Sequence, residues 1–251
     1  MAACVYTVWR NNMTNKNTDL LREEMLLGKE AIARLRSSHV AVFGLGGVGS
    51  WCAEALARCG VGEITLVDED TVSESNLNRQ LCATLPNIGR EKAVAMAERL
   101  LSIRGDLIVH PMVMRYEAAS REQFFREKYD YIVDAIDLVS CKLDLILSAR
   151  ERSIPVISAL GTGNKLDGSR LQIADIADTR GCPLARVVRK ELRRRGVEHH
   201  TVVYSDEEAL SPEQTELPPP GRRSIPGSVA WVPAIAGFLL AQHVVLLLAE
   251  K

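Results

Sequence analysis

No two of the six cysteines (Cys4, Cys52, Cys59, Cys82, Cys141, Cys182) in this 251-residue chain form a C-x-x-C pair. That disfavours a four-cysteine zinc site, so no zinc is expected, and unpaired thiols fit a reducing, cytoplasmic compartment. Net charge is equally scarce. The 31 Lys and Arg are set against 32 Asp and Glu, giving −1. Binding nucleic acid through bulk charge is thereby excluded, although a local basic patch is not. The start of the chain has no continuous apolar core of the signal-peptide kind. Its polar run Asn11–Asp19 reads as an irregular leader. No internal repeat is evident. What is present is ordinary for a globular protein: 47% hydrophobic and 25% charged residues, in a chain long enough to bury a real core.

One segment stands apart. Val229 to Ala249 reads VAWVPAIAGFLLAQHVVLLLA, which matches the roughly 20 residues of a membrane span. Pro233, Gln242 and His243 are awkward in lipid. Two readings stand: a buried core or dimer-interface helix, and a helix that meets a membrane, with peripheral association.

Elsewhere short apolar runs alternate with helical periodicity. Helices are expected over 20–35, 50–59, 92–101 and 142–152, with another ending over 124–128. Strands are expected over 40–43, 64–67, 107–110, 131–136 and 155–160. Apolar runs without polar alternation suit a parallel sheet covered on both faces. The predicted fold class is α/β: a doubly wound, Rossmann-like, mainly parallel sheet with helices on both faces. The nucleotide-binding core is placed at 20–163. Residues 164–251 form a C-terminal extension with a strand, a basic helix, a further strand and the apolar helix. Between these last two, residues 205–223 are acidic and then proline-rich, and read as a mobile loop.

The loop after the first strand is GLGGVG, with Gly44, Gly46, Gly47 and Gly49. Glycines there allow a tight turn and close approach to phosphate at a helix N-terminus. Asp68 ends the second strand 19 residues after Gly49, where an acid suits ribose hydroxyls. Up to this point a nicotinamide-dependent dehydrogenase and an ATP enzyme fit equally. The next residues separate them. The run DEDTVSESNLNRQ supplies Asp68, Asp70, Asn76, Asn78, Arg79 and Gln80, and IGREKA places Lys92 at a helix start. A triphosphate needs such forked and ammonium donors; a dehydrogenase does not. In DAIDLVSCK, Asp137 lies at the carboxyl end of the fourth strand, where it could hold magnesium. Asp134 points to another face and reads as structural.

Taken together, GLGGVG, the run from Asp68 to Gln80, GREK and DAID resemble the ubiquitin-activating-enzyme superfamily. The resemblance implies adenylation of a carboxylate by ATP. It implies that Asp68 binds ribose, that Gly47 lies close to the adenylate, that Asn76, Arg79 and Lys92 hold phosphates, and that Asp137 coordinates Mg2+. Arg22 matches an arginine that reaches the other subunit's nucleotide, which implies a homodimer. Branches that adenylate sulfur-carrier proteins usually carry two C-x-x-C pairs, absent here. REEMLLGKEA (22–31), the segments 158–179 and 182–196, and SIPGSVAWVPAIAGFLLAQHVV (224–245) instead resemble the tRNA threonylcarbamoyladenosine dehydratase branch. Glu23 departs from it, since relatives often have Thr there. The branch implies tRNA as substrate and leaves room for a monovalent cation (Na+ or K+) and a sulfur-transfer partner. The rival readings are an adenylyltransferase for a sulfur-carrier protein and a catalytically silent nucleotide-binding partner.

Arg186, Arg189, Lys190, Arg193, Arg194 and Arg195 cluster in the basic helix. The first four share one face, which suits contact with a tRNA backbone; the bland alternative is a solvated charged face. Cys182, just before this helix, reads as a packing residue and is the cysteine of most chemical interest. His199 and His200 read as loop residues, and His243 as a core histidine.

Overall fold

In the computed structural model the described residues are 19–213 and 225–250. Most of the leader and the tip of the predicted mobile loop (214–223) lie outside them.

Seven strands form one sheet: β1 (His39–Phe43), β2 (Glu63–Val67), β3 (Ile108–Met112), β4 (Tyr131–Asp134), β5 (Val156–Ala159), β6 (Leu171–Asp175) and β7 (Thr201–Ser205). Their order is β3-β2-β1-β4-β5-β7-β6. All neighbours are parallel except β6, which runs antiparallel to β7 at the edge. β1 sits between β2 and β4, with Val42 paired to Leu66 on one side and Val133 on the other. The chain order reverses there, so the carboxyl ends of β1 and β4 frame a crevice.

The helices are α1 (Leu21–Leu27), α2 (Lys29–Arg36), α3 (Gly49–Arg58), α4 (Lys92–Ile103), α5 (Val139–Glu151), α6 (Pro183–Arg194) and α7 (Trp231–Glu250). Alternate residues of each strand feed opposite layers. Val40 and Val42 join the core shared with α2, α3, α4 and α7, whereas Ala41 and Phe43 face the core under α5. A third cluster seats Val188 and Leu192 of α6 on Leu143 and Ile146 of α5.

Three expectations are corrected. The helix expected over 20–35 is two helices, because Gly28 takes a φ of +86° and its N–H donates to the Glu24 carbonyl, closing α1. No helix ends over 124–128. A 3-10 turn at Ala118–Gln123 precedes it, and the fully buried Phe124 fills the core instead. Ser205 belongs to β7, so the irregular segment starts one residue later.

α7 is long and apolar enough to cross a membrane, yet just over half of it is buried in this protein. Val232, Ala236, Leu240, Val244 and Leu248 enter the core, and a Cβ at Gly237 would lie 2.5 Å from the Val48 carbonyl oxygen of the glycine loop. The helix therefore packs directly on the start of α3. The Arg34 guanidinium of α2 donates to the Ala249 carbonyl at its far end (2.9 Å).

Gly49 shows how tightly the glycine loop closes. A Cβ there would lie 1.8 Å from the Gly44 carbonyl oxygen, a contact that only backbone movement could relieve. Gly49→Ala is expected to destabilise the fold by at least the about 1–3 kcal/mol of ordinary overpacking. Urea unfolding checks this; an unchanged midpoint would mean that the turn opens freely.

Candidate active site

A cleft of 590 Å³ opens at the carboxyl ends of β1, β2, β4 and β5. One wall is the glycine loop. Gly44 has a φ of +88°, and a Cβ there would meet the Ala135 carbonyl oxygen at 2.7 Å, so only glycine fits. Asp68, just beyond β2, is clamped by two backbone donors: Leu45 N–H to Oδ2 (2.6 Å) and Asp70 N–H to Oδ1 (2.8 Å). Burial raises its pKa, while the Leu45 N–H and the Lys92 charge pull it back. Lys92 is buried at the start of α4, and its Nζ lies 2.8 Å from Asp70 Oδ2. One ammonium thus serves the same cleft as both carboxylates.

The segment after Asp70 folds over the start of α3. The Ser50 hydroxyl donates to the Gly46 carbonyl (2.7 Å) and accepts from Leu81 N–H (3.1 Å), while Trp51 Nε1 donates to the Arg79 carbonyl (3.1 Å). Arg79 and Gln80 are thereby fixed in the cleft wall. Arg79 Nη1 donates to the Ser75 carbonyl (2.7 Å) and to Asn78 Oδ1 (2.9 Å), and burial lowers its pKa. Gln80 is buried, and its Oε1 has no hydrogen-bond partner in the protein. A buried acceptor without a donor is costly, and this one lines the cleft wall where a ligand N–H or O–H can meet it.

Of the residues singled out in the sequence, Gly44, Gly46, Gly47, Asp68, Asp70, Arg79, Gln80, Lys92 and Asp137 line the cleft. Three do not. Gly49 lies beneath the loop. Asn76 is buried in a turn, where its Oδ1 accepts the Ser73 N–H (3.1 Å) and so braces the Arg79 segment from behind. Arg22 is exposed on α1, away from the cleft of its own chain.

Apart from Cys182, no residue of the far wall was assigned to the site in the sequence. That wall comprises Leu160–Lys165 after β5, Cys182–Leu184 at the start of α6, and Pro226–Ser228 before α7. Arg115 and Tyr116 after β3 also contribute. Their position beyond strand carboxyl ends was the available signal. Asn78 Nδ2 donates to the Ser228 carbonyl (2.9 Å), tying the two walls together. Lys165 is buried and donates to the Ser205 and Glu207 carbonyls (2.8 Å each). Cys182 caps α6, its Sγ accepting the Ala185 N–H (3.4 Å). Burial pushes the Cys59 thiol up to about 12 and Cys82 to about 11, and Cys52 higher, so these three stay protonated at neutral pH.

On α6, Arg186, Lys190, Arg193 and Arg194 are exposed around a shallow groove of 380 Å³. Arg189 turns inward. Its Nη1 donates to the Thr179 carbonyl (2.9 Å), pinning the preceding turn. Arg194 and Arg195 both pair with Glu191. His200 is buried, donating to or accepting from the Ser158 hydroxyl (2.7 Å), and burial pushes its pKa down to about 3; it is a core residue, not the loop residue expected.

Comparison with known proteins places this geometry. The model of the ThiF family matches residues 20–251. A Bacillus subtilis protein named tRNA threonylcarbamoyladenosine dehydratase is 41% identical over 234 residues, covering 90% of this chain and 92% of that protein. The Escherichia coli K12 protein of the same name is 40% identical over 168 residues, covering 67% of this chain and 63% of that protein. A crystal structure of the E. coli tRNA N6-threonylcarbamoyladenosine dehydratase in complex with ATP superimposes with a TM-score of 0.82 at 34% identity, covering 91% of this chain and 92% of that one. The match runs through the glycine loop, both cleft walls and α7 alike, and the chain belongs to the ThiF family.

Proposed function

We propose that this chain is an ATP-dependent tRNA threonylcarbamoyladenosine dehydratase, which cyclises the threonylcarbamoyl group on a tRNA adenosine after adenylating its carboxylate. The observation that carries the reading is the single cleft in which Asp68, Arg79, Gln80, Lys92 and Asp137 converge beside a glycine loop. A carboxylate resists attack because it is charged and would have to expel oxide. Its oxygen attacks the α-phosphorus of ATP, the bond to pyrophosphate breaks, and a mixed anhydride with AMP remains. A nucleophilic atom of the same threonylcarbamoyl group then attacks that carbonyl and AMP leaves. The net change on tRNA is loss of one water. Because the attack is intramolecular, proximity supplies much of the acceleration, and no cysteine nucleophile is needed.

The side chains divide this work. Asp68, held by two N–H groups, is oriented to accept ribose hydroxyls. Arg79 and Lys92 offset the charge that grows on pyrophosphate. The exposed Asp137 carboxylate, just beyond β4, is an oxygen donor of the kind Mg2+ takes and would hold it. Bound there, the ion would supply Lewis-acid neutralisation of the phosphates. The decisive assay combines ATP, Mg2+ and threonylcarbamoylated tRNA, with mass spectrometry of the nucleosides. A product lighter by one water is expected; an unchanged nucleoside overturns the reading. Activation of a sulfur-carrier protein instead would appear as carrier adenylate.

The basic groove is the tRNA contact in this reading. The first residues of α6 line the cleft and the helix leads away over about 18 Å, a path suited to a nucleic-acid backbone entering the site. Replacing Arg186, Lys190 and Arg193 with Gln is expected to weaken tRNA binding and reduce the slope of log K against log salt by about 2–3. An unaltered slope would return this face to simple solvation. Arg189 is left out because its guanidinium holds Thr179.

The chain is further proposed to act as a cytoplasmic homodimer. Met25 (83% exposed) and Leu26 (86%) of α1 and Trp231, Phe238 and Leu246 of α7 are apolar surface of the kind a second copy would cover. Arg22 lies on the same α1, in reach of a neighbour. Sedimentation at micromolar concentration is expected to give twice the 27.7 kDa monomer mass; a monomer would remove the partner arginine.

A further inference from the structure

At the end of the sheet opposite the cleft, three ligand-type side chains meet on one face. His39 opens β1 and is in register with Glu63, which opens β2; His110 of β3 is in register with Thr65. Parallel register and the two-residue period put all four side chains on the same side. His110 Nε2 lies 2.6 Å and His39 Nδ1 3.6 Å from the same Glu63 oxygen, Oε1. One ligand atom from each of the three residues falls within 4.8 Å of the other two. The His39 ring is buried and fixed on two sides. Its Nε2 is 2.8 Å from the Thr65 hydroxyl, and the Tyr129 ring meets it edge-on at 4.8 Å. Glu63 and His110 are only half-buried, so the cluster opens to water on one flank.

We infer that His39, Glu63 and His110 form a binding site for a divalent transition-metal ion of the Zn2+ class. Two imidazoles and a carboxylate are a borderline donor set. It suits Zn2+ or Co2+, whereas Mg2+ and Ca2+ prefer all-oxygen shells. With bonds of about 2.0–2.2 Å, tetrahedral ligand atoms stand about 3.4 Å apart. The 2.6 and 3.6 Å separations bracket that value, so small side-chain rotations suffice. The Thr65 hydroxyl engages the His39 nitrogen that faces away from the cluster, leaving Nδ1 as the ligand and fixing the ring as outer-sphere partners of metal-bound histidines do. Water completes the shell from the open flank. The missing C-x-x-C pairs do not bear on this site, because it uses no cysteine. Its place at the amino ends of the strands separates it from the adenylation chemistry. The ion ties β1, β2 and β3 together.

The test uses the full-length protein stripped of metal and titrated with Co2+, then with Zn2+ as competitor. The expected result is one equivalent of Co2+ with the strong visible bands of four- or five-coordinate geometry, no thiolate charge-transfer band, and displacement by Zn2+. Glu63→Gln and His110→Gln should each weaken binding at least tenfold, while His199→Gln, on the exposed loop before β7, should not. Zn2+ should raise the melting temperature of the wild type and leave that of Glu63→Gln unmoved. The site is overturned by no stoichiometric binding, by only the weak bands of an octahedral oxygen shell, or by full affinity in both variants. A thiolate band would assign the metal to cysteine and do the same. The wild-type spectrum alone discriminates even if a variant fails to fold.

Discussion

Alanine at Asp137 or at Arg79 is expected to lower turnover by about 10²–10³, with the fold intact. In the proposed reading Arg79 offsets charge that develops on the phosphates and Asp137 would hold the Mg2+ that does the same, and single losses of this kind typically have that size. The structure separates the effect from unfolding. Asp137 is exposed beyond the end of β4, and Arg79 contributes surface-turn contacts to Ser75 and Asn78 and no core packing. Arg79→Lys should rescue little, because an ammonium lacks the planar fork that grips two phosphate oxygens. Pyrophosphate release and nucleoside mass are the readouts, with circular dichroism as the folding control. Wild-type turnover in either alanine variant would remove that residue from the site.

Lys142→Met is expected to cost about 3–5 kcal/mol of folding stability, against a total of about 5–15 kcal/mol for a typical domain. Lys142 Nζ and Asp134 Oδ2 lie 2.7 Å apart with both side chains fully buried. The ammonium also donates to the Ala159 carbonyl (3.0 Å), and Asp134 Oδ1 accepts the Ile136 N–H (3.1 Å). Truncating the lysine leaves a carboxylate in the sheet with no counter-charge. The same carboxylate shapes the turn that carries Asp137, so turnover should fall as well. Asp134→Leu combined with Lys142→Met should recover part of the stability, since the unpaired charge is then gone. Urea midpoints measure both variants. A single-variant loss below about 1 kcal/mol would show that water reaches the pair.

Strands β1, β2, β4 and β5 were legible because a parallel strand covered on both faces is predominantly apolar, and VAVF, ITLV, YIVD and VISA are short, mostly apolar runs whose polar members (Thr65, Asp134, Ser158) are buried and paired. The near wall of the cleft was legible for a related reason. A positive φ and the close Ala135 carbonyl demand glycine at Gly44, and the polar run Asp68–Gln80 follows the second strand within one loop. Direction was not legible in β6, whose sequence suits either sense; its antiparallel pairing with β7 follows from the turn of the chain through α6. Asn76 and Gln80 look equally able to meet a ligand in the sequence. Only the fold turns Asn76 back to Ser73 and leaves Gln80 in the cleft wall with its Oε1 unpartnered.

The sequence by itself determined the alternation of strands and helices, the glycine loop and the adenylation motif, because these rest on local periodicity and short spacing. Tertiary structure decided everything that depends on distant segments meeting. It seated half of the apolar tail on α3, where Gly237 lets the backbones touch. It turned Arg189 inward to Thr179 while leaving Arg186 and Lys190 outside. It brought His39, Glu63 and His110 together from three strands through sheet register, which no spacing along one chain encodes.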